Sequence, residues 1–170
     1  SFTLVQFLLL IAAYYSLNNK FSPDYSAYTL NEFTNIFKFI LLVGSLMIFH
    51  YTYKHLKFLK ILKIEYFTIS LLGLIGTMIM ISANSLLMLY LGIELLSLSL
   101  YALIGFNKKS SLSSEAAIKY YVLGAMSSGI LLFGISLIYG FTGSIAYGDI
   151  SSQLTNIDMH SVDYIAIIFG

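Results

Sequence analysis

One carboxylate lies within a long apolar stretch of this chain. Glu94 is the only charged residue in the segment NSLLMLYLGIELLSLSLYALIGF, between Asn84 and Phe106. As an α-helix this segment would be roughly 34 Å long, enough to cross a hydrocarbon core of about 30 Å, with Glu94 near its middle. A charged group at that depth costs about 2.5–3.5 kcal/mol. Such residues therefore face the protein interior and mark a partner or a pathway.

Three more polar side chains share a face of this predicted helix with Glu94. Tyr90, Glu94, Ser97 and Tyr101 follow one another at intervals of three or four positions, the spacing of one helical face. Each buried polar group needs a hydrogen-bond partner, and a simple membrane anchor would not require this stripe. Two interpretations stay open. The carboxylate either takes up and releases protons in a hydrated channel, or is a structural group hydrogen-bonded to a neighbouring helix.

A second charged candidate, Lys119, lies in the next apolar segment. If this segment enters the membrane where the previous one leaves it, Lys119 is roughly 7 Å deep and Glu94 about 18 Å deep. A lysine side chain covers only part of the offset of ~10 Å, which argues against a direct ion pair. Lys119 is then either paired with Glu115, one helical turn earlier, or shares a hydrated cavity with Glu94.

The elements that position these residues are membrane helices. Hydrophobic residues form 58% of the chain and charged residues 10%, with a mean hydropathy of +0.85. In soluble domains about a quarter of the residues are charged. The apolar residues form long blocks and not short alternating segments, which indicates helices and excludes a barrel. The sequence thus predicts an all-α integral membrane protein, with residues 1–170 forming a single membrane domain.

Five apolar segments are long enough to span a bilayer as helices, and a sixth begins near the end of the chain. Asn and Ser at 82–85 form a turn that divides one long apolar stretch into two spans and can cap the second. Small residues at Gly73 and Gly76, and at the Gly124/Ser128 and Ala125/Gly129 spacings, predict faces of close helix packing. The predicted helices cover residues 1–17, 34–53, 65–82, 84–106 and 114–139, with a partial segment at 162–170.

Lysine residues set the expected orientation. Lysines cluster in the segments 54–64 and 107–110, whereas the loops at 18–33 and 140–160 carry acidic residues. By the positive-inside rule the lysine-rich loops and residue 1 are expected on the inner side. The segment 54–64 is either a binding stripe for anionic lipid or a short interfacial helix that sets topology. The segment 140–160 is expected to be a polar loop.

Composition also excludes several kinds of site. The nine basic residues are all lysines and form no groove for nucleic acid. No cysteine is present, so this chain has no disulfide, thiolate metal site or iron–sulfur cluster. His50, His55 and His160 lack the spacing of metal ligands, and no metal site is predicted.

Two motifs resemble a known family. LGIELLSLSLY and EAAIKYYVLGA are similar to the antiporter-like membrane subunits of respiratory complex I, most closely subunit 2 of NADH:ubiquinone oxidoreductase. The resemblance implies that Glu94 is the membrane carboxylate of a proton channel and that Lys119 belongs to the same line of charges. It also implies no cofactor in this chain, because flavin, iron–sulfur clusters and quinone are held by other subunits.

The same resemblance implies a location and partners. A composition rich in Phe, Tyr, Ile, Asn and Lys resembles that of proteins from AT-rich organelle genomes, and the expected location is the mitochondrial inner membrane. Expected partners are other membrane-arm subunits of complex I, membrane lipids and a second polypeptide that completes the subunit after Gly170. Two alternatives stay open: a subunit of a cation/proton antiporter, and a structural scaffold without its own proton path.

Overall fold

The computed structural model describes residues 9–12, 14–15, 28–29, 31–58 and 63–155. The first four of the helices below are long and apolar enough to cross a membrane. The predicted fold class, an all-α membrane protein, is confirmed. In chain order the helices are α1 (Glu32–Phe58), α2 (Ile64–Ser82), α3 (Leu86–Ile104), α4 (Ser111–Thr142) and α5 (Tyr147–Leu154).

The two ends of the chain are described only in part. Of the predicted helix at 1–17, residues 9–12 and 14–15 are described, and these are helical. Most of the predicted loop at 18–33, the partial segment at 162–170 and the expected continuation after Gly170 lie outside the described residues.

Helix α1 is longer than the sequence predicted, ending at Phe58 and not near residue 53. The first residues of the lysine-rich segment 54–64 thus continue α1 and do not begin a separate interfacial helix. Lysine and leucine are good helix formers, and no glycine or proline interrupts the chain at this point. Residues 59–62 of that segment lie outside the described part of the chain.

The predicted loop at 140–160 contains the short helix α5. Helix α4 ends at Thr142, and the next residue, Gly143, has a left-handed φ of 67°, as expected of a glycine that caps a helix. The Ser144 hydroxyl then accepts from the backbone N–H of Ala146 and donates to the Asp149 carboxylate in the first turn of α5. These local hydrogen bonds favour a helix where the composition alone indicated a loop.

Helices α2 and α3 pack against each other most closely. Buried glycines let the two backbones approach, and a Cβ atom on Gly76 would lie 2.8 Å from the Gly92 carbonyl oxygen. The predicted close approach at Gly73 and Gly76 is confirmed. The turn between the helices ends in a cap, because the Ser85 hydroxyl accepts from the Met88 N–H at 3.3 Å.

Backbone hydrogen bonds hold two other segments against this turn. The Thr29 N–H donates to the Ser82 carbonyl oxygen at 3.0 Å, which fixes the chain before α1. The Leu86 N–H donates to the Ile145 carbonyl oxygen at 3.0 Å, which fixes the chain between α4 and α5. The end of the bundle opposite the lysine-rich end is therefore joined by main-chain contacts that do not depend on side-chain type.

Candidate functional site

Glu94 lies on the face of α3 that packs against α4. The Ser128 hydroxyl of α4 donates a hydrogen bond to Oε2 of Glu94 at 2.6 Å, and both residues are half-buried. This distance is in the normal range of O–H···O hydrogen bonds. The intramembrane carboxylate thus has a polar partner on the neighbouring helix.

The directions of the two side chains explain why they meet. In an α-helix each Cα–Cβ bond tilts towards the N-terminus of that helix. Because α3 and α4 run in opposite directions, Glu94 leans away from the lysine-rich end and Ser128 leans towards it. The two side chains therefore converge between the helices.

Lys119 leans towards the lysine-rich end and away from Glu94. Its Nζ lies 2.5 Å from Oε1 of Glu115, and the two side chains are 69% and 59% exposed. A pair at this spacing on a helix contributes about 0.3–0.5 kcal/mol where water surrounds it. The structure brings Lys119 together with Glu115 and Glu94 together with Ser128, and does not join these two pairs.

Helix α4 starts earlier than the sequence predicted. Helix α4 begins at Ser111 and not near residue 114, because the Ser110 hydroxyl accepts from the Ser113 N–H. The Ser113 hydroxyl also donates to the Ile104 carbonyl oxygen at 2.5 Å, which joins the start of α4 to the end of α3. Lys119 precedes Ser128, the partner of Glu94, by nine residues or roughly 13 Å along α4, so Lys119 lies nearer the lysine-rich end than Glu94.

Tyr101, another member of the predicted polar stripe, also contacts α4. Its ring packs edge-on against Tyr121, with centroids 6.1 Å apart and an angle of 89° between the planes. Its hydroxyl lies against Gly124, where a Cβ atom would overlap it. Tyr90 and Ser97 are half-buried on α3. Two of the four stripe residues thus contact the face of α4 that carries Ser128.

Ser128 is the site residue that sequence reasoning missed. Its spacing from Gly124 predicted a packing face, and the structure confirms close packing at Gly124. The signal that distinguishes the two positions is chemical, because serine is small enough for a packing face and also has a hydroxyl. A hydroxyl on a face expected to oppose an intramembrane carboxylate is a candidate partner for it.

Gly124→Ala is expected to destabilise the contact between α3 and α4 by about 1–3 kcal/mol, the usual effect of overpacking. The added Cβ would occupy the position of the Tyr101 phenol, so the ring has to move or the helices have to separate. Thermal unfolding in detergent measures the change. Gly129→Ala is the matched control on the same helix, since no atom lies within 4 Å of a Cβ there. Equal unfolding temperatures for the two variants would contradict the expected overlap.

Glu94 is an ionisable group between two apolar helices, α3 and α4. Within membranes such groups face the interior of the bundle and mark pathways for ions or protons. Among the described residues no cluster of three His, Cys, Asp or Glu could hold a metal ion. The fold and site are those of a multi-pass membrane protein with an internal carboxylate.

Residues 83–170 match the transmembrane family described as NADH:quinone oxidoreductase/Mrp antiporter. The chain belongs to this family, which confirms the resemblance to antiporter-like subunits. It is 41% identical over 144 residues to NADH-quinone oxidoreductase subunit N of Ruthia magnifica subsp. Calyptogena magnifica, covering 85% of this chain and 30% of that protein. The chain thus spans about a third of the length of the curated relatives it matches.

Two solved structures share the fold. An archaeal respiratory complex, the membrane-bound sulfane sulfur reductase, contains a chain with a TM-score of 0.76 and 23% identity, matched over 99% of this chain and 37% of that chain. Respiratory complex I from Thermus thermophilus with bound aureothin contains a chain with a TM-score of 0.60 and 27% identity, matched over 86% and 31%. The first likeness supports the fold alone. The second likeness is to a chain of a respiratory complex I.

Proposed function

We propose that this chain is part of the proton-translocating membrane arm of NADH:quinone oxidoreductase, with Glu94 as a proton-carrying group. The observation that carries the proposal is the hydrogen bond between Ser128 and the intramembrane carboxylate of Glu94, at 2.6 Å. The family and the subunit N relatives support the assignment to this complex.

Ser128 suits a carboxylate that changes its protonation state. A hydroxyl is both a donor and an acceptor, so it donates to the ionised carboxylate and accepts from the protonated one. The same contact therefore holds Glu94 in place in both states. A purely structural hydrogen bond would need the hydroxyl in only one of these two roles, as donor or as acceptor. A hydrophobic contact would leave the carboxylate without a polar partner.

Lys119 is proposed to act as the neighbouring charge on the lysine-rich side of Glu94. Its pair with Glu115 is open at the surface of the described helices, near the start of α4. Lys119 precedes Ser128 by roughly 13 Å along α4, so this role requires the flexible lysine stem to extend towards Glu94 and water to bridge the remaining distance. In this role Lys119 moves between Glu115 and the region of Glu94.

The finer assignment rests on the composition and on the motifs LGIELLSLSLY and EAAIKYYVLGA. We place the chain in a subunit of the subunit 2 type, in the mitochondrial inner membrane, with other membrane-arm subunits and lipids as partners. The part of the relatives that this chain does not span corresponds to about two thirds of their length. The polypeptide region that supplies it is expected to pack against the exposed apolar side chains of α4, which include Val122, Met126 and Phe133.

A cation/proton antiporter subunit is the second candidate, because the matching family also includes the Mrp antiporters. Co-purification distinguishes the two candidates. Redox subunits that purify with the chain support the first candidate, and a set of small antiporter proteins without redox centres supports the second.

The experiment that tests the proposed function measures NADH-driven proton translocation in membranes that carry the Glu94→Gln change. NADH oxidation with a quinone acceptor is measured on the same membranes, so that the number of protons moved per NADH is obtained together with the rate.

Ser128→Ala is expected to slow proton translocation by roughly tenfold, because a hydrogen bond to a charged group contributes about 1.5–3 kcal/mol. The carboxylate would lose the partner that orients it, whereas Ser128→Thr keeps the hydroxyl and should restore the rate. Ser127→Ala is the matched control, since the Ser127 hydroxyl donates to the Leu123 carbonyl oxygen within α4. A rate in Ser128→Ala equal to that in Ser127→Ala would show that the hydroxyl does not position Glu94.

A further inference from the structure

A cleft opens between the start of α2 and the end of α3, at the lysine-rich end. Its volume is about 430 Å³, which is within the range of small-molecule sites. This cleft lies at the opposite end of α3 from its cap at Ser85 and is separate from the hydrogen bond of Glu94. Its lining includes Lys63, Glu65, Ile69, Ala102, Phe106 and Lys108.

The lining changes from charged to apolar with depth. Lys63 precedes α2 and Lys108 follows α3, so both belong to the level of the membrane interface. Ile69 lies roughly 9 Å further along α2, where the side chains of the cleft are apolar. Ala102 is exposed and Ile69 is half-buried, which leaves the cleft open along the sides of the helices. A phospholipid has the same order of chemistry, with its headgroup at the interface and its acyl chains below it.

The charges at the mouth of the cleft favour an anion. Two lysines and one glutamate give the lining a net charge of about +1, and Lys109 adds another cation beside Lys108. Nζ of Lys63 lies 6.0 Å from the centroid of the Phe106 ring, within cation–π distance, which holds this ammonium group at the cleft. Lysines near a membrane surface attract anionic headgroups.

We propose that this cleft binds one anionic phospholipid, with its phosphate between the ammonium groups of Lys63 and Lys108 and its acyl chains along Ile69 and Ala102. A membrane helix of another protein fits less well, because it would remove three charged groups at the mouth from water. A lipid headgroup leaves these groups at the interface and supplies the negative charge that they lack.

Quenching by brominated lipids tests this site in the intact complex that contains the chain. The chain has no cysteine, so Leu98→Cys introduces one on this chain for a bimane label. Leu98 is 47% exposed and lies one turn from Ala102 on the same face of α3, beside the proposed acyl chains. The labelled complex is placed in vesicles of phosphatidylcholine in which either brominated phosphatidylglycerol or brominated phosphatidylcholine is titrated. The complex without this cysteine gives the background.

Phosphatidylglycerol is expected to quench the label at roughly fivefold lower mole fraction than phosphatidylcholine, since each lysine near the surface contributes an attraction of about that factor. The Lys63→Gln/Lys108→Gln variant should lose this preference, and Lys63→Arg/Lys108→Arg should keep it. Lys54→Gln/Lys57→Gln is the matched control, because it removes the same charge from the exposed end of α1.

Two results would overturn the proposal. One is equal quenching by the two lipids in the labelled complex that has all its lysines, which would show no preference for an anionic headgroup. The other is an equal loss of preference in the Lys63→Gln/Lys108→Gln and Lys54→Gln/Lys57→Gln variants, which would show that the whole lysine-rich surface attracts anionic lipid. A preference that is kept in Lys54→Gln/Lys57→Gln and lost in Lys63→Gln/Lys108→Gln supports a site at the cleft.

Discussion

Glu94→Gln is expected to lower the rate of NADH-driven proton translocation by at least roughly tenfold while the complex still assembles. A positioned proton-transfer group contributes about 10²–10⁴-fold to the rate of its step. Glutamine has nearly the shape of glutamate, and its amide oxygen can accept the hydrogen bond of the Ser128 hydroxyl. The variant therefore keeps the contact between α3 and α4 and loses only the ability to release a proton.

The measurement follows acidification or alkalinisation of sealed membrane vesicles after NADH is added, with the amount of assembled complex determined on the same sample. Glu32→Gln is the matched control, since it makes the same chemical change at an exposed residue in the first turn of α1. Glu94→Asp tests geometry, because it keeps the carboxylate and shortens its reach towards Ser128. An intermediate rate is expected for that variant.

Full proton translocation by an assembled Glu94→Gln complex would reject the proposed role of the carboxylate. Poor assembly with an unchanged number of protons per NADH would instead support the structural scaffold. These outcomes are separable because assembly and stoichiometry are measured independently. They are also independent of the lipid cleft, whose preference for phosphatidylglycerol does not require proton transfer at Glu94.

The sequence predicted the membrane helices and the position of Glu94 on physical grounds. Runs of apolar residues must satisfy their backbone groups within the bilayer, and helices achieve this without partners. The middle of such a run is then the middle of the membrane, which makes Glu94 conspicuous. The boundaries were less predictable, because the end of α1 and the start of α4 depend on helix propensity and on the cap at Ser110.

The partners of Glu94 and Lys119 could not be predicted from spacing alone. The sequence left Glu115 and a cavity shared with Glu94 as alternatives for Lys119. The choice depends on which face of α4 packs against α3 and on the relative height of these two antiparallel helices, and neither is a property of one segment. Ser128 was missed for the same reason. Its hydroxyl meets Glu94 only once the contact between α3 and α4 is known.

Gly76→Ala is expected to destabilise the packing of α2 on α3 by about 1–3 kcal/mol. An added Cβ would lie 2.8 Å from both the Gly92 carbonyl oxygen and the Leu96 backbone nitrogen. Both contacts are with backbone atoms, which cannot move aside as the end of a side chain can. The helices have to separate, and a glycine-dependent approach of this kind is what holds membrane helices together.

Gly44→Ala is the control for the intrinsic effect of alanine on a helix, because a Cβ there has no atom within 4 Å. Alanine favours a helix over glycine by up to about 1 kcal/mol, so this control should unfold at the same or a higher temperature. Gly76→Ala should unfold at a lower temperature despite the same gain in helix propensity. Equal unfolding temperatures would mean that α2 and α3 can separate without loss. Leu96 is two positions from Glu94 on α3, so we expect the separation to slow proton translocation as well.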